Sequence, residues 1–281
     1  MTKRTLIIQG GGFRTAFSAG VLDAFQTHRY NPFDAYVAVS GGAIALSYYL
    51  SEQYKKCVES MCLLAEDKHF MSWNRLISSQ GIMDVDYFRT VAEEKVPFDL
   101  NAAIKAVDGR KVAFVLTHRE SGNPHYYQPN EVTWVDAVIA TCTLPFVTKG
   151  KHTLHGEDFF DGGWSDPLPV EWVWKGGAED IVLIRTTPAD MKVNQSWPDY
   201  LATFIFRGNE RLRACFEENH LRYNAAIDFL GKPPKGLRIQ QIAPSEPLQT
   251  GTYSNNVKLI IADYRNGLEA GLNFLMRQVD V

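Results

Sequence analysis

The sequence predicts an α/β fold in which helices cover both faces of a mostly parallel central sheet. Short apolar runs alternate with stretches of helical periodicity along the 281 residues, and this alternation is typical of parallel sheets. Hydrophobic residues make up 45% of the chain and charged residues 22%, so the chain can bury a sizeable core. Ligands of such folds bind beyond the carboxyl ends of the strands, where we expect the site.

The elements follow from apolar patterning and turn signals taken in chain order. Strands are predicted at 5–9, 35–39, 111–117, 126–127, 181–185 and 237–242, and the run 157–161 leads to Asp161. Helices are predicted at 14–27, 42–64, 88–92, 133–142, 198–229 and 256–277. The glycine run that ends the first strand and Ser40 after the second both fall at strand-to-helix turns. We therefore expect them at the same edge of the sheet.

Composition excludes several classes of function. The net charge of −3 argues against a nucleic-acid partner. The sequence contains no apolar stretch as long as a membrane span and no secretory signal. The four cysteines form no Cys-x-x-Cys pair, so we expect reduced core thiols, no metal site and a cytoplasmic location.

The first candidate functional residue is Ser40, in the run Ala38-Val39-Ser40-Gly41-Gly42. A serine on a tight strand-to-helix turn exposes its hydroxyl in front of a helix N-terminus, as a nucleophile does. A structural alternative is a serine that only caps the helix.

The second is the run Gly10-Gly11-Gly12, followed by Arg14. Successive glycines before a helix let backbone N–H groups point at a phosphate or at the oxyanion of an acyl-transfer intermediate. A dinucleotide site is disfavoured because Thr15 stands where the last glycine of Gly-x-Gly-x-x-Gly belongs. Arg14 either steadies an anionic substrate group or holds the loop. The remaining alternative is a tight turn packed on the sheet.

The third is Asp161, which precedes Gly162 and Gly163. Its carboxylate is a candidate base for Ser40, because a neutral hydroxyl needs a proton acceptor to become nucleophilic. The alternative is an ordinary Asp-Gly turn. After Asp161 the only histidine is His220, within a predicted helix, so a Ser-Asp dyad fits better than a Ser-Asp-His triad.

Together and in this order, the motifs resemble the patatin-like phospholipase family over about residues 5–190. Gly10 to Arg14 resembles its oxyanion loop, Ala38 to Gly42 its nucleophile elbow, and Asp161 to Gly163 its catalytic aspartate motif. Phe33-Asp34, the stretch 140–145 and Pro167 to Val170 add to the likeness. Ala38 replaces the first elbow glycine, and Thr15 departs from the glycine pattern.

The resemblance implies a three-layer α/β/α fold and a serine-dependent lipid acyl hydrolase of the phospholipase A, lysophospholipase or esterase type. Ser40 would be the nucleophile and Asp161 the base, with no metal or organic cofactor. The oxyanion hole would comprise Gly10, Gly11, Gly12 and Gly41, and supporting residues would be Arg14, Ala38, Gly42, Gly162 and Gly163. Residues 5–190 would be the catalytic domain, with 191–281 a helical extension packed on it.

The resemblance also implies a binding partner. The implied partner is a lipid or another ester substrate, with transient peripheral contact at the inner membrane face. Phe70 to Trp73 and Trp172 to Trp174 are candidate aromatic anchors, although aromatics at such spacings commonly belong to a core. One alternative function is a lipid-binding or regulatory protein with a vestigial site, and another is a nucleotide-binding enzyme.

Overall fold

The computed structural model describes residues 4–75, 81–145 and 147–279, and its centre is an eight-stranded sheet. The strands are β1 Arg4–Ile8, β2 Ala35–Val39, β3 Lys111–His118, β4 Pro124–Tyr127, β5 His152–Leu154, β6 Glu157–Asp161, β7 Asp180–Ile184 and β8 Arg238–Ile242. The order β3-β2-β1-β7-β8 is parallel throughout. Strands β4 and β6 run antiparallel to β3, and β5 pairs with β6. The predicted α/β class with a mostly parallel sheet is confirmed.

Helices connect and cover these strands. They are α1 Ala16–Thr27, α2 Gly41–Leu50, α3 Lys56–Glu66, α4 Tyr87–Thr90, α5 Leu100–Ala106, α6 Trp134–Thr141, α7 Val170–Lys175, α8 Trp197–Ile205, α9 Glu210–Glu217, α10 Asn219–Gly231 and α11 Val257–Val279. A π-helical turn at Val91–Lys95 continues α4. Of the described residues, no helix is both long enough and apolar enough to cross a membrane.

Two predicted helices were wrong in extent, because local contacts interrupt them. The stretch 42–64 is broken between α2 and α3, where Glu52 and Lys55 adopt positive φ values of 56° and 64°. The carboxylate of Asp23 accepts the Lys55 amide there, at 3.2 Å from each oxygen. The stretch 198–229 forms α8, α9 and α10, and the side chain of Asn209 caps the start of α9 through the amide of Leu212.

Alternating strand residues divide the main core between the two faces of the sheet. Leu6 and Ile8 of β1 face one cluster, with residues of α1, α2, α3 and α11. Ile7 of the same strand faces a second cluster, with residues of α7 and α10. This period-two alternation gives the three layers. Because both clusters reach the carboxyl ends of β1 and β2, a cavity at that edge can draw its walls from both faces.

The C-terminal part of the chain belongs to the same packed body. Strand β8 pairs with β7, and α11 packs along α1. The Tyr264 hydroxyl of α11 donates a 2.8 Å hydrogen bond to Asp23 of α1, and both side chains are buried. Burial raises the pKa of Asp23, so this bond satisfies a carboxyl that water does not reach.

Candidate active site

Ser40 occupies a strained turn between β2 and α2. Its φ of 52° and ψ of −133° lie where non-glycine residues are rare, at a cost of about 1–3 kcal/mol. The Ser40 amide donates to Thr141 Oγ1 at 2.9 Å, and that hydroxyl donates to Val115 O at 2.6 Å. The Ser40 side chain makes no capping bond to α2, although the residue occupies the N-cap position. The turn therefore holds the serine without using its hydroxyl as a helix cap.

The residues around the turn explain its composition. A Cβ on Gly42 would lie 2.7 Å from Ile8 O, so only glycine lets α2 pack this closely on β1. Ala38 is fully buried in β2, in register with Ile8 and Phe114, and its methyl group joins the core. The departure from glycine at this position is thus accommodated within the sheet.

The glycine run follows β1 and lies against the turn. Gly10 approaches so closely that a Cβ there would be 2.7 Å from Ser40 Cβ. The amides of Gly11, Gly12 and Gly41 have no hydrogen-bond partner among the residues that the structure describes. Free amides beside a serine, of which the Gly41 amide lies at the N-terminus of α2, are the donors that an oxyanion requires.

Thr15 and Arg14 hold the glycine run in place. Thr15 Oγ1 donates to Gly12 O at 2.5 Å, so the threonine that departs from the glycine pattern stabilises the loop. Arg14 Nε donates to Gly11 O at 3.3 Å, and its Nη2 lies 3.4 Å from Thr252 Oγ1. Burial lowers the pKa of Arg14. Its side chain also lines the cavity in front of Ser40, so both roles considered from the sequence are sterically open.

Asp161 ends β6 and is buried, with 4% of its surface exposed. Its Oδ1 accepts the Gly163 amide at 2.8 Å, and its backbone oxygen accepts Thr117 Oγ1 at 2.8 Å. Burial raises the pKa of Asp161 to about 7, while hydrogen bonds from Ser40 and from the Gly163 amide act in the opposite direction. A carboxyl that titrates near neutral pH beside a serine hydroxyl is suited to general-base chemistry.

Cys142 and His220 also reach this site. Burial and then the charge of Asp161 raise the pKa of the Cys142 thiol, and a hydrogen bond with Ser40 lowers it. His220 lines the cavity, but its Nδ1 is buried and lacks a hydrogen-bond partner within the described part of the chain. The serine and the carboxyl therefore meet without an imidazole between them.

The cavity in front of Ser40 has a volume of about 450 Å³, within the usual range for ligand pockets. Its apolar wall comprises Ile44, Met61, Leu64, Phe70, Met83 and Phe88. Its polar wall comprises Thr187, Asn194, Ser196, Asp199, His220 and Tyr223. The apolar wall packs on the core of the Leu6 face and Tyr223 on the core of the Ile7 face, so the cavity bridges the end of the sheet. Ser40, Asp161 and the glycine run lie between the two walls.

The structure brings most of the predicted site residues into this cavity. The residues in its lining are Gly10, Gly11, Gly12, Arg14, Ser40, Gly41, Asp161 and Gly163. Ala38, Gly42 and Gly162 lie behind it. Phe70 is buried with 1% exposure, which agrees with the alternative of a core residue, whereas Trp172 and Trp174 are 39% and 36% exposed.

Sequence reasoning missed three residues that hold the site: Thr141, Asn219 and Thr252. Asn219 Nδ2 donates to Gly163 O at 2.6 Å and to Trp164 O at 2.9 Å. Thr252 O accepts the Phe13 amide at 3.4 Å. Thr141 lies in the family-like stretch 140–145, which was the only available signal. The other two act from more than 50 residues away, where no local pattern could reveal them.

Parts of this sequence are similar to those of known proteins. The profile of the family described as Patatin-like phospholipase matches residues 6–174, and a domain of unknown function, DUF6363, matches 209–281. The uncharacterized protein YjjU of Escherichia coli (strain K12) is 28% identical over 274 residues, which are 96% of this chain and 76% of YjjU. The crystal structure of VipD from Legionella pneumophila covers 98% of this chain and 67% of its own, at 12% identity and a TM-score of 0.45. With its sequence matched from β1 through α7, the chain belongs to the patatin-like phospholipase family.

Proposed function

We propose that this protein is a serine-dependent lipid acyl hydrolase that cleaves carboxylic esters through a Ser40–Asp161 dyad. Family membership supports a lipid hydrolase. The observation that carries the finer proposal is that Ser40, in its strained turn, and a buried Asp161 whose pKa is about 7 line the same cavity. The free amides of the glycine run, at the junction of an apolar and a polar wall, add to it.

The chemistry follows from these positions. Asp161 takes the Ser40 proton while Oγ attacks the ester carbonyl carbon, and the amides of Gly11, Gly12 and Gly41 stabilise the oxyanion. Collapse of the tetrahedral intermediate breaks the bond to the alcohol oxygen, which takes the proton from Asp161 as the alcohol leaves, and an acyl-Ser40 ester remains. Asp161 then takes a proton from the water molecule that attacks this ester and passes it to Ser40 Oγ as the fatty acid leaves. The reaction needs no group beyond the chain and water.

The walls of the cavity indicate how a lipid ester would lie. An acyl chain fits the apolar wall, because its burial there removes hydrocarbon from water. The alcohol or headgroup then points toward the polar wall, where hydroxyl, amide and imidazole groups can bind it. A second, apolar cavity of about 50 Å³ shares Ile44, Leu64 and Phe88 with the first and extends it toward Trp134. Phospholipids, lysophospholipids and simple fatty esters all fit this description.

Covalent labelling with a fluorophosphonate, followed by mass spectrometry, tests the dyad. We expect wild-type protein to be labelled at Ser40, Ser40→Ala to be unlabelled, and Asp161→Asn to be labelled at least about 10³-fold more slowly. Ester turnover should fall in parallel. A folded wild-type protein that takes no label and hydrolyses no ester would instead support a lipid-binding protein with a vestigial site.

We further propose transient contact with a lipid surface through α8. This helix turns Tyr200, Phe204 and Ile205 outward, at 57%, 64% and 49% exposure, while Ala202 is buried. Ser196 and Asp199, at the start of the same helix, line the cavity, so the apolar face adjoins the polar wall. The guanidinium of Arg207 lies 5.0 Å from the centre of the Phe204 ring, which places a cation beside the apolar face. Apolar side chains next to a cation suit the boundary of an anionic membrane.

Co-sedimentation with phosphatidylcholine–phosphatidylglycerol vesicles tests this contact. Phe204→Ser with Ile205→Ser should reduce the bound fraction severalfold, and Val132→Ser, an equally apolar and 80% exposed position elsewhere, should not. Equal binding by all variants would contradict the assignment to α8. A cytoplasmic location stays a prediction, supported by four unpaired cysteines.

A further inference from the structure

Asp263 of α11 holds a loop that reaches the active site. Its Oδ1 accepts the Gln249 amide at 3.0 Å, and its Oδ2 accepts the Thr250 amide at 2.8 Å and the Thr250 hydroxyl at 2.6 Å. The carboxylate is only 2% exposed, so these three donors replace water around it. Residues 249–252 therefore take one defined path beside the cavity.

That loop contacts the glycine run directly. Thr252 O accepts the Phe13 amide, and Thr252 Oγ1 lies within reach of Arg14. Gly12 has a φ of 57°, and a Cβ there would be 2.3 Å from Thr252 O. The backbone of the two segments is thus as close as two chains can approach. On the opposite side, Thr186 Oγ1 donates to Gly10 O at 2.6 Å, so the run lies between two supports.

Asn219, the first residue of α10, supports the other reactive turn. Its side-chain amide donates to the backbone oxygens of both Gly163 and Trp164. The Gly163 amide in turn binds the Asp161 carboxylate. Asn219 touches no reacting group itself, and it acts on the base through one intervening residue.

We propose that the C-terminal segment 209–281 is an integral part of the active site, which it completes by holding the glycine run through Asp263 and Thr252 and the aspartate turn through Asn219. Asp263 and Asn219 are positioning residues in this arrangement, and the inference about rates rests on the proposed hydrolase function. The segment that matches a domain of unknown function thereby acquires a role. It aligns the oxyanion donors and the base, which come from two distant parts of the catalytic region.

Asp263→Asn tests the first contact, with Asp228→Asn as the matched control on the same segment. Asp228 is exposed and pairs only with Lys192 among the described residues. Active-site titration with a fluorophosphonate measures the fraction of competent sites, and the labelling rate is then expressed per site. We expect Asp263→Asn to keep its titre and to label about 10- to 100-fold more slowly per site, because misplaced donors bind the oxyanion poorly. Asp228→Asn should behave as wild type.

Asn219→Ala tests the second contact with a different readout. In the wild-type protein, the hydrogen bond from the Gly163 amide lowers the pKa of Asp161. Without Asn219 this amide is held less firmly, so the pKa of Asp161 should rise. The midpoint of the pH–rate profile should therefore move to higher pH in Asn219→Ala and stay unchanged in Asp263→Asn. A residue with a purely structural role would lower the titre and leave both the per-site rate and the midpoint unchanged, and that result would overturn the proposal.

Hydrogen exchange separates this inference from the proposed function. The Phe13 amide should exchange faster in Asp263→Asn, and the Gly163 amide faster in Asn219→Ala, with the strand β1 amides protected as in wild type. These faster exchange rates would support the positioning roles of Asp263 and Asn219 even if the wild-type protein took no label. The absence of label would count only against the hydrolase function. Unchanged exchange at both amides in folded variants would overturn the positioning roles.

Discussion

The two walls of the cavity differ in chemistry, in their supporting core and in their place along the chain. The apolar wall comes from α2, α3, Phe70, Met83 and Phe88, all within the part of the chain that matches the family profile. The polar wall comes from residues 187–223, beyond the end of that match at residue 174. Packed apolar side chains form the first wall. The second wall includes hydrogen-bonded side chains such as Tyr223, which bonds with Arg185 and Thr187.

This difference separates two kinds of recognition. An apolar wall selects by length and shape, and each methylene group contributes about 1 kcal/mol. A polar wall selects by hydrogen bonding, where an unmatched group is penalised. Ser40 and Asp161 lie at the junction, so changes at the junction should affect all substrates. Changes in one wall should affect only one part of the substrate.

Gly12→Ala, at the junction, should reduce the hydrolysis of every substrate. The new Cβ would strike Thr252 O and displace the oxyanion donors, so kcat should fall about 10²- to 10³-fold for every ester tested. Gly109→Ala is the matched control, since Gly109 also has a positive φ, 73°, but its Cβ would meet no atom within 4 Å. Steady-state kinetics on short- and long-chain esters provide the measurement. A loss confined to one chain length would contradict a role at the junction.

Asp161→Asn should increase stability at alkaline pH while it removes activity. The pKa of Asp161 is about 7 in the folded protein and ordinarily 3.8, so the folded state binds the proton more tightly than the unfolded chain does. Wild-type stability should fall as pH rises from about 4 to above 7, by on the order of 4 kcal/mol, and the asparagine variant should not show this loss.

Denaturant unfolding of both proteins at pH 4 and pH 8 measures the difference. The stabilities should be similar at pH 4 and should favour Asp161→Asn at pH 8. The activity of the wild type should rise as pH increases through about 7, because the base must be ionised. An asparagine variant that is less stable than wild type at pH 8 would show that the ionised carboxylate does not destabilise the folded protein.

Ile44→Phe tests whether the apolar wall binds the acyl chain. Ile44 borders both the main cavity and the smaller one beyond it, so a larger side chain shortens the space for an acyl chain. We expect kcat/KM to fall about 10- to 100-fold for decanoyl esters relative to butyryl esters. The pattern of headgroup preference should not change. A uniform decrease over all chain lengths would indicate that the chain does not lie along this wall.

His220→Leu tests the role of the polar wall and should have the smallest effect of these substitutions. The imidazole lines the cavity, so we expect the part of the ring that faces the cavity to contact a headgroup. We expect KM for a lysophospholipid to rise about fivefold, with hydrolysis of p-nitrophenyl butyrate nearly unchanged, since one hydrogen bond contributes about 1 kcal/mol. A similar change for both substrates would show that His220 does not distinguish headgroups.

The reacting groups were within reach of sequence reasoning because each sits in a short, locally constrained motif. A serine on a strand-to-helix turn and a glycine run after a strand restrict the backbone over only a few residues, and strand order then brings them to one edge. The titration of Asp161 was not predictable, because its pKa depends on burial by elements distant in sequence. The two broken helices failed for a related reason, since the interruption at Lys55 depends on Asp23, 32 residues away.

By itself, the sequence determined the α/β class, the family and the residues that could carry the reaction, because periodicity and short motifs are properties of neighbouring residues. Only the tertiary structure decided which side chains hold those residues, how the cavity divides into two walls, and that α10 and the loop before α11 reach the active site. Those features depend on contacts such as Asn219 with Gly163 and Thr252 with Phe13. Contacts between distant segments form only when the packed core brings them together, and no local pattern encodes them.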